Sequence, residues 1–220
     1  MFDDRVTALV IAIDGPAGAG KSSVARAVAG SLGFIYLDSG AMYRCVALTC
    51  IEWGADPEQS GEATSTAMSI EISFEGEEVM IDGVDVTEEI RDPEVSEAAS
   101  KVAVHPGVRE AMVTEQRRLI ESGNYVAEGR DIGTVVSPGS PLKVFLTASL
   151  VVRARRRAEQ TGGDPRDILL AQMERDKRDS EREHGALKAA EDAVEIDTSD
   201  LSFDEVVANV ADLARERGLA

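Results

Sequence analysis

Residues 8–25 read "ALVIAIDGPAGAGKSSVA". The run "ALVIAID", 8–14, is apolar up to its last residue, as in a strand buried on both faces. From Lys21 to Leu32 the pattern is helical, with Val24, Val28 and Leu32 on one face. Between them, Gly15-Pro16-Ala17-Gly18-Ala19-Gly20-Lys21-Ser22 matches G-x-x-x-x-G-K-[ST] in full. The glycines let the backbone curl with its N–H groups inward, and the helix N-terminus after them adds a positive field. Lys21 can reach β- and γ-phosphates, and the Ser22 hydroxyl, with Ser23 beside it, can serve Mg²⁺. A glycine-rich turn with a chance lysine would not need a buried strand before it and a helix after it. The loop therefore implies a bound nucleoside triphosphate, which GTPases, ATPases and kinases all share.

Outward from the loop, short strands are expected at 34–40, 124–129, 142–148 and 193–197. Helices are expected at 41–53, 93–104, 107–121, 150–161, 165–182 and 203–217. Strands alternating with helices predict an α/β fold with a parallel sheet. Residues 69–90, "SIEISFEGEEVMIDGVDVTEEI", break that rhythm. They alternate with period two around Glu75-Gly76-Glu77, which predicts an antiparallel hairpin. The expected division is a core of 1–59 and 106–220 with an insert at 60–105, and a lid at about 153–166.

The bulk properties narrow the classes. The 220 residues carry a net charge of −18, so the overall field repels nucleic acid and anionic membranes. No stretch approaches the roughly 20 apolar residues of a membrane span. The start, "MFDDRVTALV", is acidic where a secretory signal is basic, which suggests a cytoplasmic protein. Cys45 and Cys50 have no metal or redox spacing and read as reduced thiols. No heptad repeat demands an oligomer. The basic residues comprise 18 arginines and 5 lysines. Between Arg153 and Arg182 basic residues outnumber acidic ones, nine to seven. Arginine suits bidentate phosphate contacts, although a charge run is often only a solvated face.

No Asn-Lys-x-Asp for guanine occurs, and the chain is short for a motor or transport ATPase. A small kinase remains, and three constellations fit one. Asp38-Ser39-Gly40-Ala41-Met42-Tyr43-Arg44 follows the second strand, where ligands of α/β sheets bind. Its plainer reading is a helix cap. Glu128-Gly129-Arg130-Asp131 ends the "NYVA" strand; Arg130 could bind phosphate and Asp131 a base amino group or a magnesium water. Its plainer reading is a charged turn with a local ion pair. Arg175, Arg178, Asp179 and Arg182 fall at i, i+3, i+4 and i+7 of one helix, suiting phosphate and ribose or an ion-paired solvent face. Arg153, Arg156 and Arg157 share a face of the preceding helix, and "EQTGGD" after it could hinge a lid. His105 and His184 sit in no motif. An arginine-rich site without an obvious base leans towards a phosphate acceptor, already ionised, although Asp131 could act as base for a hydroxyl.

"IAIDGPAGAGKSS", "YLDSGAMYR", "VAEGRDIGTVV" and "RDKRDSERE" together resemble bacterial cytidylate kinases, over nearly the whole chain. The resemblance implies a nucleoside-monophosphate-kinase fold: a five-stranded parallel sheet flanked by helices, an inserted acceptor-binding subdomain with a short antiparallel sheet, and a helical lid. It implies transfer from ATP to CMP or dCMP with Mg²⁺ at Ser22, by a monomer. Gly15 to Ser23 would hold ATP. Ser39, Tyr43, Arg44, Ser100, Arg109, Arg130, Asp131, Arg175, Asp179 and Arg182 would hold CMP. Lys21, Arg130, Arg157 and Arg182 would be catalytic. "GAL" at 185–187 departs from the expected proline before leucine, at a place expected to touch no contact. A UMP/CMP or hydroxyl-directed kinase, or a nucleotide-binding module without turnover, remain the alternatives.

Overall fold

The computed structural model describes residues 8–219. The acidic start lies outside the described residues, apart from its last three positions. Strand β1 (Val10–Asp14) is buried along its whole length, as its apolar run requires. It lies between β6 (Tyr125–Gly129) and β7 (Leu142–Thr147), parallel to both. With β2 (Ile35–Asp38) and β8 (Val194–Asp197) at the edges, the order is β2-β6-β1-β7-β8, all parallel. The five expected strands are thus one sheet, with the carboxyl ends of β1, β2 and β6 side by side.

Alternation within β1 sorts the two faces. Ile11 and Ile13 pack with α1 (Lys21–Leu32) and α8 (Phe203–Glu216). Val10 and Ala12 pack with Val113 and Ile120 of α5 (Pro106–Ile120) and with Ile132 and Val136. Both faces are covered, as parallel sheets require.

A second core joins α2 (Ser39–Trp53) to the segment between α2 and α5. That segment contains α3 (Ser60–Ser69), β3 (Ile72–Glu75), β4 (Glu78–Ile81), β5 (Val84–Asp85) and α4 (Pro93–Val102). The three strands form an antiparallel sheet in which Glu75 faces Glu78 across the expected turn. Helix α3 was not expected. "SGEATSTAMS" lacks an apolar stripe and buries only Ala63, Thr66 and Ala67, so its pattern gives little helical signal. The last helices are α6 (Leu150–Thr161) and α7 (Pro165–Ser180). Helix α7 ends two residues before the expected boundary, so Arg182 lies beyond it.

Candidate active site

A cleft of about 530 Å³ opens above the ends of β1, β2 and β6. The glycine loop forms one end. Gly15 has φ 149°, and a Cβ there would overlap the carbonyl oxygen of Leu146. No side chain fits, so the loop rests directly on β7. Gly18 and Gly20 also take positive φ, 79° and 89°, which curls the chain into the first turn of α1. Ala17, Gly18, Gly20, Lys21, Ser22 and Ser23 line the cleft. Gly15, Pro16 and Ala19 do not; they shape the loop from behind. The Lys21 ammonium donates to the Pro16 carbonyl at 3.0 Å. Burial pushes it down to about 7, Arg130 and Arg175 push the same way, and Glu128 and Asp14 oppose them.

The opposite end is built from ion pairs. Asp38 ends β2, and one of its oxygens caps α2 through the Ala41 N–H at 2.9 Å. The other accepts from Arg44 at 2.8 Å. The capping reading of "DSG" is thus realised by Asp38, whose second oxygen also fixes Arg44. Ser39 donates to the carbonyl of Glu128 at 2.6 Å, tying β2 to β6. Arg130 reaches Asp179 on α7 at 2.9 Å, and Arg182 meets the other oxygen of the same carboxylate. Asp131 pairs with Arg109 of α5. A local Arg130–Asp131 pair, the plain reading of "GRD", is not what forms. Burial would raise Asp179, but Arg130, Arg182 and Arg175 outweigh it and hold the carboxyl below its ordinary range. Among the described residues Arg175 has no such partner: its Nε is buried without a hydrogen bond, and burial and Arg130 pull it down to about 10.

Lys21, Arg44, Arg130, Arg175 and Arg182 thus share one cleft with Ser39, Tyr43, Arg109, Asp131, Asp179 and Arg157. Ser100 is an exception. It is buried with its hydroxyl unpartnered, and it is not part of the lining, whereas Ala99 and Ala103 of the same stretch are. Arg178 leaves the expected helix face and pairs with Glu97 of α4 at 2.9 Å, linking α7 to α4. Arg153 is not a mobile cation. It is buried and bonds the carbonyls of Ala148 and Ala17 and the carboxylate of Asp176. Arg156 binds Thr198 past β8, through the hydroxyl at 3.0 Å and the carbonyl at 2.6 Å.

The "GAL" departure also touches more than expected. Beyond α7 the chain folds back: Arg182 meets Asp179, and the Leu187 N–H donates to the Asp179 carbonyl at 2.8 Å. Gly185, at φ 65°, lies directly on the Arg109–Asp131 pair, and a Cβ there would overlap both side chains.

Sequence reasoning left Asp14, Asp38 and Glu128 without assigned roles. Asp14 and Asp38 end their strands and Glu128 is the last but one residue of β6, and that position is the available signal. Burial pushes Glu128 up and Asp38 adds to it, while Lys21 and a hydrogen bond from Ser22 pull it down. No histidine lines the cleft. His105 instead contacts the Pro57 carbonyl at 2.9 Å, and His184 is exposed. Both cysteines are free and buried. Among the described residues no helix is long and apolar enough to cross a membrane.

The family model described as cytidylate kinase matches residues 11–216. A cytidylate kinase of Solibacter usitatus is 46% identical over 99% of this chain and 97% of its own. One from Bacillus pumilus is 47% identical, over 94% of this chain and 96% of its own. Among solved structures, an uncharacterised protein from Eubacterium ventriosum has a similar fold, with a TM-score of 0.56 at 14% identity, over 95% of this chain and 99% of its own.

Proposed function

The chain belongs to the cytidylate kinase family, and from that premise we propose that the cleft holds ATP at the glycine loop and CMP or dCMP among the ion pairs. The enzyme is a (d)CMP kinase, and the products are ADP and CDP or dCDP. One observation carries the division of the cleft. Four arginines, Arg44, Arg130, Arg175 and Arg182, gather opposite Lys21, and the lining includes no histidine base. Such a site suits two polyanions and a phosphate acceptor, which is ionised without help.

The loop amides and Lys21 would hold the donor's β- and γ-phosphates, with Arg157 from α6 beside them. Arg44, Arg130 and Arg182 would hold the acceptor phosphate and exchange carboxylate partners for phosphate oxygens. Asp179 and Arg175 would take the ribose. Arg109, Asp131 and Tyr43 would face the base, with Ser100 contributing its unpartnered hydroxyl. Ser22, Glu128 and Asp38 offer oxygen donors only, which suit Mg²⁺ held mainly through phosphates. Held there, Mg²⁺ would supply neutralisation of the charge on the donor phosphates. Residues 60–105 would be the acceptor-side insert, and 153–166 the lid.

ADP release measured across CMP, dCMP, UMP and AMP tests this reading. CMP and dCMP should be the better acceptors. Equal turnover with AMP, or none with CMP, would overturn it.

A further inference from the structure

Arg130 and Asp131 sit on a loop, residues 129–133, with almost no room to adjust. A Cβ at Gly129 would fall 2.6 Å from the Ser39 hydroxyl and 2.9 Å from Ile132. Past the loop, the Asp131 carbonyl accepts the N–H groups of Val135 and Val136 at 2.8 and 3.2 Å, closing a wide helical turn, Ile132–Val136. Arg117 of α5 holds the far end through the Val135 and Val136 carbonyls, at 2.7 and 3.2 Å. The N–H groups of Ile132 and Gly133 remain, both buried. Each donates to Asp14, one to each carboxylate oxygen, at 2.8 Å.

Asp14 is the last residue of β1 and the residue before the glycine loop. It is 5% exposed, and no arginine or lysine pairs with it among the described residues. A buried carboxylate is costly, and two backbone donors are its compensation. The same side chain therefore starts the donor loop and fixes the loop that carries Arg130 and Asp131.

We propose that Asp14 is a positioning residue for the acceptor, its carboxylate holding loop 129–133 in the shape that presents Arg130 and Asp131. This rests on the acceptor reading of that end of the cleft. Wild-type turnover with CMP tests that reading separately, so the two can fail independently. An amide at position 14 keeps the size but offers one acceptor for two donors, leaving a buried N–H facing an NH₂ group.

The test is Asp14→Asn, with the KM for CMP and the KM for ATP measured separately. The expected result is a rise of about 10-fold or more for CMP and less than about 3-fold for ATP. Gly133→Ala approaches from the other side, because its Cβ would crowd the Asp14 oxygen at 3.3 Å and the Lys143 stem at 3.2 Å. It should raise the CMP value about 3-fold and spare ATP. A CMP value unchanged in Asp14→Asn, or CMP and ATP values rising together, would overturn the proposal. If Asp14→Asn does not fold, Gly133→Ala decides alone: an unchanged CMP value there overturns it.

Discussion

The two ends of the cleft are built by different means. The glycine-loop end uses mainly backbone, with six of its lining residues between Ala17 and Ser23, Lys21 among them. The opposite end uses side chains from α2, α5, α7 and the loop after β6, paired as arginine with carboxylate. A backbone cradle is cheap to specify, because one contiguous motif sets its shape. An ion-pair site is specified only by the whole fold, because its partners come from separate elements.

Substitutions can break this contrast, starting with the largest effect. Lys21→Ala should lower kcat by about 10³-fold. It should not destabilise the fold at neutral pH, since it removes a buried cation; steady-state kinetics and a melting curve check both. Arg109→Ala should strike the other end alone. It leaves Asp131 buried without its partner, and the KM for CMP should rise about 100-fold while that for ATP stays within about 2-fold. Equal losses for both nucleotides would make Arg109 structural. Gly185→Ala should be milder. It adds about 1 kcal/mol of backbone strain and presses on the Arg109–Asp131 pair, so the CMP value should rise about 10-fold. Gly54→Ala is the control: Gly54 has φ 70° with open space around it, so it carries the strain without the crowding.

The smallest effect sharpens the donor side. Lys21 stands near 7 in the free cleft because burial and neighbouring arginines disfavour its charge. A bound triphosphate favours that charge and moves the value back up. At pH 8 the free lysine is mostly neutral, so ATP binding should take up close to one proton. At pH 6 it is already charged and uptake should vanish. Titration calorimetry in buffers of different ionisation enthalpy measures this, and Lys21→Ala should abolish it.

The same contrast explains what was legible in the sequence. The glycine loop, its strand and its helix lie within Val10–Leu32, and local pattern sufficed for them. The period-two alternation of 69–90 gave the small sheet for the same reason. The pairings at the other end span 22 residues for Arg109–Asp131 and 49 for Arg130–Asp179. Residue type could nominate these side chains but could not show which carboxylate each would meet. Arg178 shared the helical spacing of Arg175 and Asp179 yet turned to Glu97. Gly185 looked incidental because its importance lies in the space it leaves empty.

The pairing of β1 on both edges has a further consequence, in the time domain. Its amides are bonded within the sheet and buried on both faces, so their protons should exchange with solvent only when the whole domain opens. The segment around Gly162 and Gly163, exposed between α6 and α7, should exchange by local opening within far shorter times. The glycine loop grows directly from β1, so it should be anchored on a segment that opens only with the domain.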